Sequence, residues 1–225
     1  MNCRFFSYID FRGDESKHYL IDPLLDSCEP FLTSTNSTLT FIQYLEEGEC
    51  SPPRIKEGKN LKLISSHSYL PYNSKKDSRH AEALNSIDLN LVNSNFICFL
   101  DADCIFKEDA LTLFNALITI PDTIFGRIHQ WWMEAYGLGE IEEEPFFFIP
   151  RIQPYFMLIP LEYYKAFPLD FSRVFERRED FILYGSTGFK NFNLVLKNYS
   201  FMHVSRKKLP IHHERGVFRT AFDKI

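Results

Sequence analysis

The sequence predicts an open α/β fold, and three observations lead to that prediction. Apolar strand-like segments alternate with helical patterns along the first half of the chain, which is the order typical of sheets with helical crossovers. The continuous apolar run 96–100 lacks polar alternation, as expected of a strand covered on both faces. With 225 residues, the chain is long enough to bury a sizeable core in a single domain.

The predicted strands are short apolar or aromatic segments, and the helix predicted over 79–92 carries Ala81, Leu84, Ile87 and Leu91 on one face at spacings of three and four. Pro23 is expected to disturb the end of the first helix, near Leu24. The predicted strands cover 4–11, 39–45, 61–64, 96–100, 151–159 and 201–204, and the predicted helices cover 14–24, 79–92, 108–117 and 161–167, with a further helical stretch starting at 179–183.

Composition excludes several classes of protein. The formal net charge of −5 offers no electrostatic support for nucleic-acid binding. The five cysteines are odd in number and lack metal-ligand spacing, which favours a reduced, cytoplasmic protein. Neither a signal peptide nor a membrane-spanning segment is expected. The basic run 206–208 is either a solvated loop or a point of peripheral contact with an anionic membrane.

The chemistry centres on Asp101-Ala102-Asp103, which directly follows the apolar strand 96–100. Ligands of open α/β sheets bind outside the carboxyl ends of the strands. Two carboxylates this close need a counter-charge, and a hard cation such as Mg²⁺ or Mn²⁺ takes oxygen ligands from carboxylates and phosphates. A D-x-D pair is also common in ordinary loops, so its surroundings decide between the two interpretations.

Three segments, in order and spacing, resemble the family 2 glycosyltransferases of the GT-A fold. The first is 79–106, with Ala83-Leu84-Asn85 on a helix that leads to the strand ending in Asp101-Ala102-Asp103. The second comprises 167–170 and 179–183, and the third is 211–213. The resemblance implies a single Rossmann-like GT-A domain with a mixed, mostly parallel sheet flanked by helices. It also implies a nucleotide-sugar half at 1–106 and an acceptor half at 107–225.

The resemblance further implies an inverting, metal-dependent glycosyltransferase. Asp101, Asp103 and His213 would hold Mn²⁺ or Mg²⁺, which carries the diphosphate of a UDP- or GDP-linked sugar. Asp180 would be the catalytic base, and Glu179 would orient the acceptor, which is a glycan, a lipid-linked sugar or a protein. Each of these roles has an ordinary alternative. The pair 179–180 is also typical of a solvated run of charges, and His212 is an alternative to His213 as the metal ligand.

The donor site departs from the family at its first two strands. The segment 8–12 replaces the family's usual first-strand ending, and Glu46-Glu47-Gly48 replaces its second. Asp10 is therefore only a candidate contact for the nucleobase. Arg79 is a candidate for the diphosphate, because arginine pairs with phosphate bidentately, or it is a helix residue facing water.

Three other classes compete with a glycosyltransferase. A sugar-phosphate nucleotidyltransferase would carry a glycine-rich phosphate loop after the first strand, where this chain has only Gly13. A GT-A-like domain that binds a nucleotide or glycan without turnover would keep the same fold. A glycoside hydrolase would not need the Asp101–Asp103 pair.

Overall fold

The structure is a computed structural model that describes residues 2–11, 14–45, 51–66, 79–129, 146–148, 151–166, 168–172, 174–177, 182–185 and 200–213. The strands are β1 Cys3–Ile9, β2 Thr38–Tyr44, β3 Leu61–Ser66, β4 Phe96–Asp101, β5 Cys104–Phe106, β6 Thr123–His129, β7 Phe146–Phe148, β8 Arg151–Pro160, β9 Val174–Arg177, β10 Ile182–Gly185, β11 Ser200–His203 and β12 Ile211–His213. The α-helices are α1 Asp22–Thr35, α2 Arg79–Asn85, α3 Ala110–Ile118 and α4 Leu161–Ala166, and shorter 3₁₀ helices cover Glu15–Ile21, Leu89–Leu91 and Arg206–Lys208.

A seven-stranded sheet organises the domain, with the strand order β11-β6-β8-β4-β1-β2-β3. The strands β4, β1, β2 and β3 are mutually parallel, β11 is parallel to β6, and β8 runs antiparallel between β4 and β6. The predicted fold class, a mixed and mostly parallel α/β sheet flanked by helices, is confirmed. The chain passes outward from β1 to β3 and then returns to the other side of β1 as β4, which makes the β1–β4 junction a topological switch point.

The central strands are buried on both faces, as the apolar run 96–100 predicted. Phe5 and Cys98 pack into one hydrophobic cluster, whereas their neighbours Phe6 and Phe99 pack into another. Aromatic rings fill much of both clusters. Phe5, Phe31, Phe106 and Phe114 form a group with edge-to-face and tilted contacts, and Phe99 contacts Tyr164 and Phe171 on the other side. The high phenylalanine content therefore serves the core.

Three predicted elements differ from the structure. Pro23 lies in the first turn of α1, where a proline's missing N–H costs nothing, so it begins a helix that runs to Thr35. The helix predicted over 79–92 ends at Asn85. The helical stretch predicted from 179–183 was wrong in its described part, because Ile182–Gly185 pairs as β10 with β7 and β9.

None of the helices in the described part of the chain has the length and apolar character required to cross a bilayer.

Helix α3 offers a matched test of the packing. Leu117 is 7% exposed and belongs to the core, whereas Leu111 on the same helix is 40% exposed. We expect Leu117→Ala to lower the free energy of unfolding by about 2–5 kcal/mol, because it leaves a cavity. Leu111→Ala should change it by about 0.5 kcal/mol or less. Equal losses for the two variants in urea denaturation would contradict this packing.

Candidate functional site

The two aspartates lie at the switch point of the sheet. Asp101 is the last residue of β4, and Asp103 occupies the turn into β5. Tyr8 of β1 is the register partner of Asp101 across the parallel pairing. Because β4 is packed on both faces, its carboxyl end is held rigidly, and the two carboxylates project from a fixed edge.

His213 reaches the aspartates through a short antiparallel pairing. The strand β12 pairs with β5, and the register places His213 opposite Cys104, next to Asp103. Its Nε2 lies 3.1 Å from Asp103 Oδ1 and 3.4 Å from Asp101 Oδ2. The ring stacks on Tyr155 of β8, with 4.2 Å between centroids and 5° between planes. Tyr155 is buried, so it fixes the imidazole plane.

Burial and charge shift the titration of this cluster. Burial alone lowers the pKa of His213, but the hydrogen bonds and charges of Asp101 and Asp103 outweigh it and raise that pKa to about 9. Burial also raises the pKa of Asp103, with a further contribution from the charge of Asp101, while His213 opposes the shift. A proton on His213 thus supplies the counter-charge that the two carboxylates need.

The donor set fits a divalent cation. One ligand atom from each of Asp101, Asp103 and His213 lies within 4.8 Å of the others. Carboxylate oxygens suit Mg²⁺ and Mn²⁺, and the imidazole nitrogen favours the transition ion, Mn²⁺. The Nδ1 atom of His213 is buried and has no hydrogen-bond partner among the described residues, which leaves Nε2 as the nitrogen directed at the carboxylates.

A second polar cluster lies beside the first, at the end of β1. The Tyr8 hydroxyl donates to Asp10 Oδ2 at 2.7 Å, and Arg79 Nη1 lies 3.5 Å from the same oxygen. Both side chains of the Asp10–Arg79 ion pair are largely buried, at 5% and 11% exposed. The pair fixes the direction of Arg79 at the start of α2. The interpretation of Arg79 as a helix residue facing water is therefore wrong.

His80 connects the two clusters, although no motif in the sequence marked it as a site residue. Its ring stacks on Tyr8, with 5.2 Å between centroids and 13° between planes, and its Nε2 lies 3.9 Å from Asp101 Oδ1. The only signal in the sequence was its place directly after Arg79. No local pattern could have indicated Tyr155, because only the antiparallel insertion of β8 brings it to His213.

The structure thus gathers five of the seven predicted site residues at one edge of the sheet: Asp10, Arg79, Asp101, Asp103 and His213. Glu179 and Asp180 lie outside the described residues.

The segment that leads toward Glu179 and Asp180 is tied to α2. The side-chain amide of Asn85 donates to Asp170 Oδ1 at 3.3 Å and to Ser172 Oγ at 3.2 Å. Its carbonyl oxygen accepts the backbone N–H of Phe171 at 2.9 Å. Two of the segments on which the family resemblance rests therefore contact each other directly.

No family model matches the chain, and no curated protein matches it. Several solved structures do match this chain. The mannosyltransferase PcManGT from Pyrobaculum calidifontis, in complex with GDP-Man and Mn²⁺, superposes on 90% of this chain and 54% of its own, with 12% identity and a TM-score of 0.52. This chain therefore spans about half the length of PcManGT.

Two further matches have lower TM-scores. TarS from S. aureus, in complex with UDP-GlcNAc, covers 91% of this chain and 59% of its own, with 11% identity and a TM-score of 0.46. A protein described as a glucose-1-phosphate thymidylyltransferase from Bacillus anthracis covers 90% of this chain and 87% of its own, with 10% identity and a TM-score of 0.47. The likeness to PcManGT establishes that the chain has a GT-A-like, Rossmann-like fold.

The pKa of His213 predicts a pH dependence for any divalent cation that binds at this cluster. A proton and a metal ion would compete for Nε2, and the raised pKa of about 9 favours the proton below that pH. We therefore expect the affinity for Mn²⁺ to rise between about pH 6 and about pH 8, with release of about one proton per ion bound. Calorimetry in buffers of different ionisation enthalpy measures both quantities.

The exposed neighbour His212 provides the control for this experiment. His213→Gln should weaken Mn²⁺ binding and flatten its pH dependence, whereas His212→Gln should leave both unchanged. The same pH slope in the wild-type protein and in His213→Gln would show that another group is titrating.

Proposed function

We propose that this chain is a metal-dependent, inverting glycosyltransferase that moves a sugar from a nucleotide-diphosphate donor to an acceptor hydroxyl. The observation that supports it most is the cluster of Asp101, Asp103 and His213 at the switch point of a GT-A-like sheet. Ligands of open α/β sheets bind at this place, and the cluster has the donor atoms that a diphosphate-bound cation requires.

The geometry supports these roles for the cluster. Asp103 and His213 would be direct ligands, and Asp101 would ligate the ion or bind the donor ribose. When bound, Mn²⁺ or Mg²⁺ neutralises the charge that develops on the departing diphosphate. Tyr155 holds the imidazole plane of His213, and His80 Nε2 lies 3.9 Å from Asp101 Oδ1, the carboxylate oxygen other than the one nearest His213. A cluster held on packed strands needs little rearrangement when the donor binds.

The neighbouring polar cluster at the end of β1 forms the rest of the proposed binding site for the donor. The Asp10 carboxylate, which accepts a hydrogen bond from the Tyr8 hydroxyl, holds the Arg79 guanidinium in place, and Arg79 is the candidate for the diphosphate. A buried, oriented guanidinium loses little entropy when it pairs with a phosphate. Asp10 remains the candidate contact for the nucleobase, with one carboxylate oxygen already engaged by Tyr8.

The transfer itself is a single displacement. The acceptor oxygen forms a bond with the anomeric carbon, the bond from that carbon to the diphosphate oxygen breaks, and its electron pair leaves with the nucleoside diphosphate. The acceptor proton passes to the carboxylate of Asp180, and Glu179 orients the acceptor. Attack from the face opposite the leaving group inverts the configuration.

The first test of this function is donor binding. We expect one UDP- or GDP-linked sugar to bind in calorimetry only when Mn²⁺ or Mg²⁺ is present. Asp103→Asn should weaken that binding by about 100-fold or more, since even partners of metal ligands are worth about 10–100-fold. Asp109→Asn is the control, because Asp109 is an exposed acid a few residues along the chain.

The outcomes of the donor titration separate the competing functions. Metal-dependent donor binding without transfer to any acceptor favours a non-catalytic binding domain. Release of pyrophosphate from a nucleoside triphosphate and a sugar phosphate would instead indicate a nucleotidyltransferase. No binding of any nucleotide sugar in the presence of metal contradicts the proposal.

A second test addresses the base. Asp180→Asn should lower kcat by about 10²- to 10⁴-fold while the Kd of the donor stays unchanged, because a general base acts on the acceptor proton in the transition state. Asp88→Asn, at an exposed acid in the turn after α2, should change neither quantity. A normal kcat in Asp180→Asn would exclude Asp180 as the base.

A further inference from the structure

The chain carries a concentrated basic surface at the turn between β11 and β12. The 3₁₀ helix Arg206–Lys208 presents three consecutive exposed cations. The described segment 200–213 contains no aspartate or glutamate, although the whole chain has a formal net charge of −5. The positive charge here is therefore local and runs against the overall balance.

A fourth cation is bound into the same surface. The Lys107 ammonium donates to the backbone carbonyls of Arg206 and Lys207, at 3.1 Å and 3.3 Å. The backbone N–H of Lys107 also donates to the carbonyl of Pro210 at 3.1 Å. These contacts tie the turn to Lys107 and add its positive charge to the same surface. We call Lys107 together with Arg206–Lys208 the basic turn.

The sheet topology places the basic turn at the carboxyl ends of the parallel strands, where the cluster of Asp101, Asp103 and His213 also lies. The strands β11, β6 and β4 point in one direction, since β8 is antiparallel to both β6 and β4. The basic turn follows β11 directly, as Asp103 follows β4. Three strand spacings separate β11 from β4, or about 14 Å. The edge strand β11 adds an apolar side chain, Met202, which is 39% exposed.

We propose that the basic turn docks the protein on an anionic membrane surface. The carboxyl ends of β4 and β11, with the cluster of Asp101, Asp103 and His213, then face the lipid. Several cations spread over an exposed turn match a plane of many head-group phosphates better than one bound phosphate, and an exposed methionine suits the membrane interface. The docking itself does not depend on the proposed function. The further inference that the acceptor lies in the membrane does rest on the proposed function.

The test is sedimentation of the full chain with vesicles. We expect binding to vesicles of phosphatidylcholine with about one third phosphatidylserine, and none to phosphatidylcholine alone, with loss of binding at high salt. The triple variant R206Q/K207Q/K208Q should bind about 100-fold more weakly, since each cation near an anionic surface contributes about fivefold. Its midpoint of thermal unfolding should match that of the wild-type protein.

A charge-matched variant is the control. Lys56, Lys59 and Lys62 are exposed and lie near β3, at the opposite end of the sheet. K56Q/K59Q/K62Q also removes three positive charges, but it should bind vesicles as the wild-type protein does. Equal losses in the two triple variants, or equal binding to neutral vesicles, would overturn the proposal. Metal-dependent donor binding is measured separately, so failure of docking and failure of the proposed function are distinguishable.

Discussion

The short antiparallel pairing of β12 with β5 is the contact on which the candidate site depends. It joins segments from the middle and the end of the chain, and its register sets His213 beside Asp103. Each strand has only three residues, so the pairing needs support from its surroundings. Buried Leu209 and Ile211 belong to the same hydrophobic cluster as Phe106 of β5, which packs against Phe5 and Phe31. The hydrophobic core therefore brings the candidate metal ligands together.

The parallel pair β1–β4 supports the polar side chains at the carboxyl ends of these two strands. Alternate side chains of both strands enter opposite hydrophobic clusters, so neither strand can shift without disturbing both. The polar residues begin where this packing ends, with Asp10 just after β1 and Asp101 at the end of β4. Tyr8 belongs to both regions, because its ring packs against the hydrophobic cluster that contains Phe6 and Phe99, while its hydroxyl donates a hydrogen bond to Asp10.

Helix α2 links the polar clusters to the segment 170–172. Its first turn supplies Arg79 and His80 to the polar clusters, and its last residue, Asn85, binds the backbone and side chains of 170–172. A seven-residue helix can do this because its middle residues are small and buried: Ala81 and Ala83 let it lie close to the sheet. The site and the basic turn then share one edge of the sheet, since β11 and β4 point the same way.

Local sequence determined what depends on neighbouring residues. The unbroken apolar run before Asp101 predicted a strand buried on both faces, and the acid pair after it predicted a cation site at the carboxyl edge. Resemblance of spaced motifs added His213. The tertiary structure decided what depends on distant pairing. It inserted β8 antiparallel beside β4, which brought Tyr155 onto His213, and it made a strand of 182–185, predicted as helix. It also turned Arg79 inward toward Asp10. Periodicity records which side of an element is buried, but it carries no information on which remote segment covers that side.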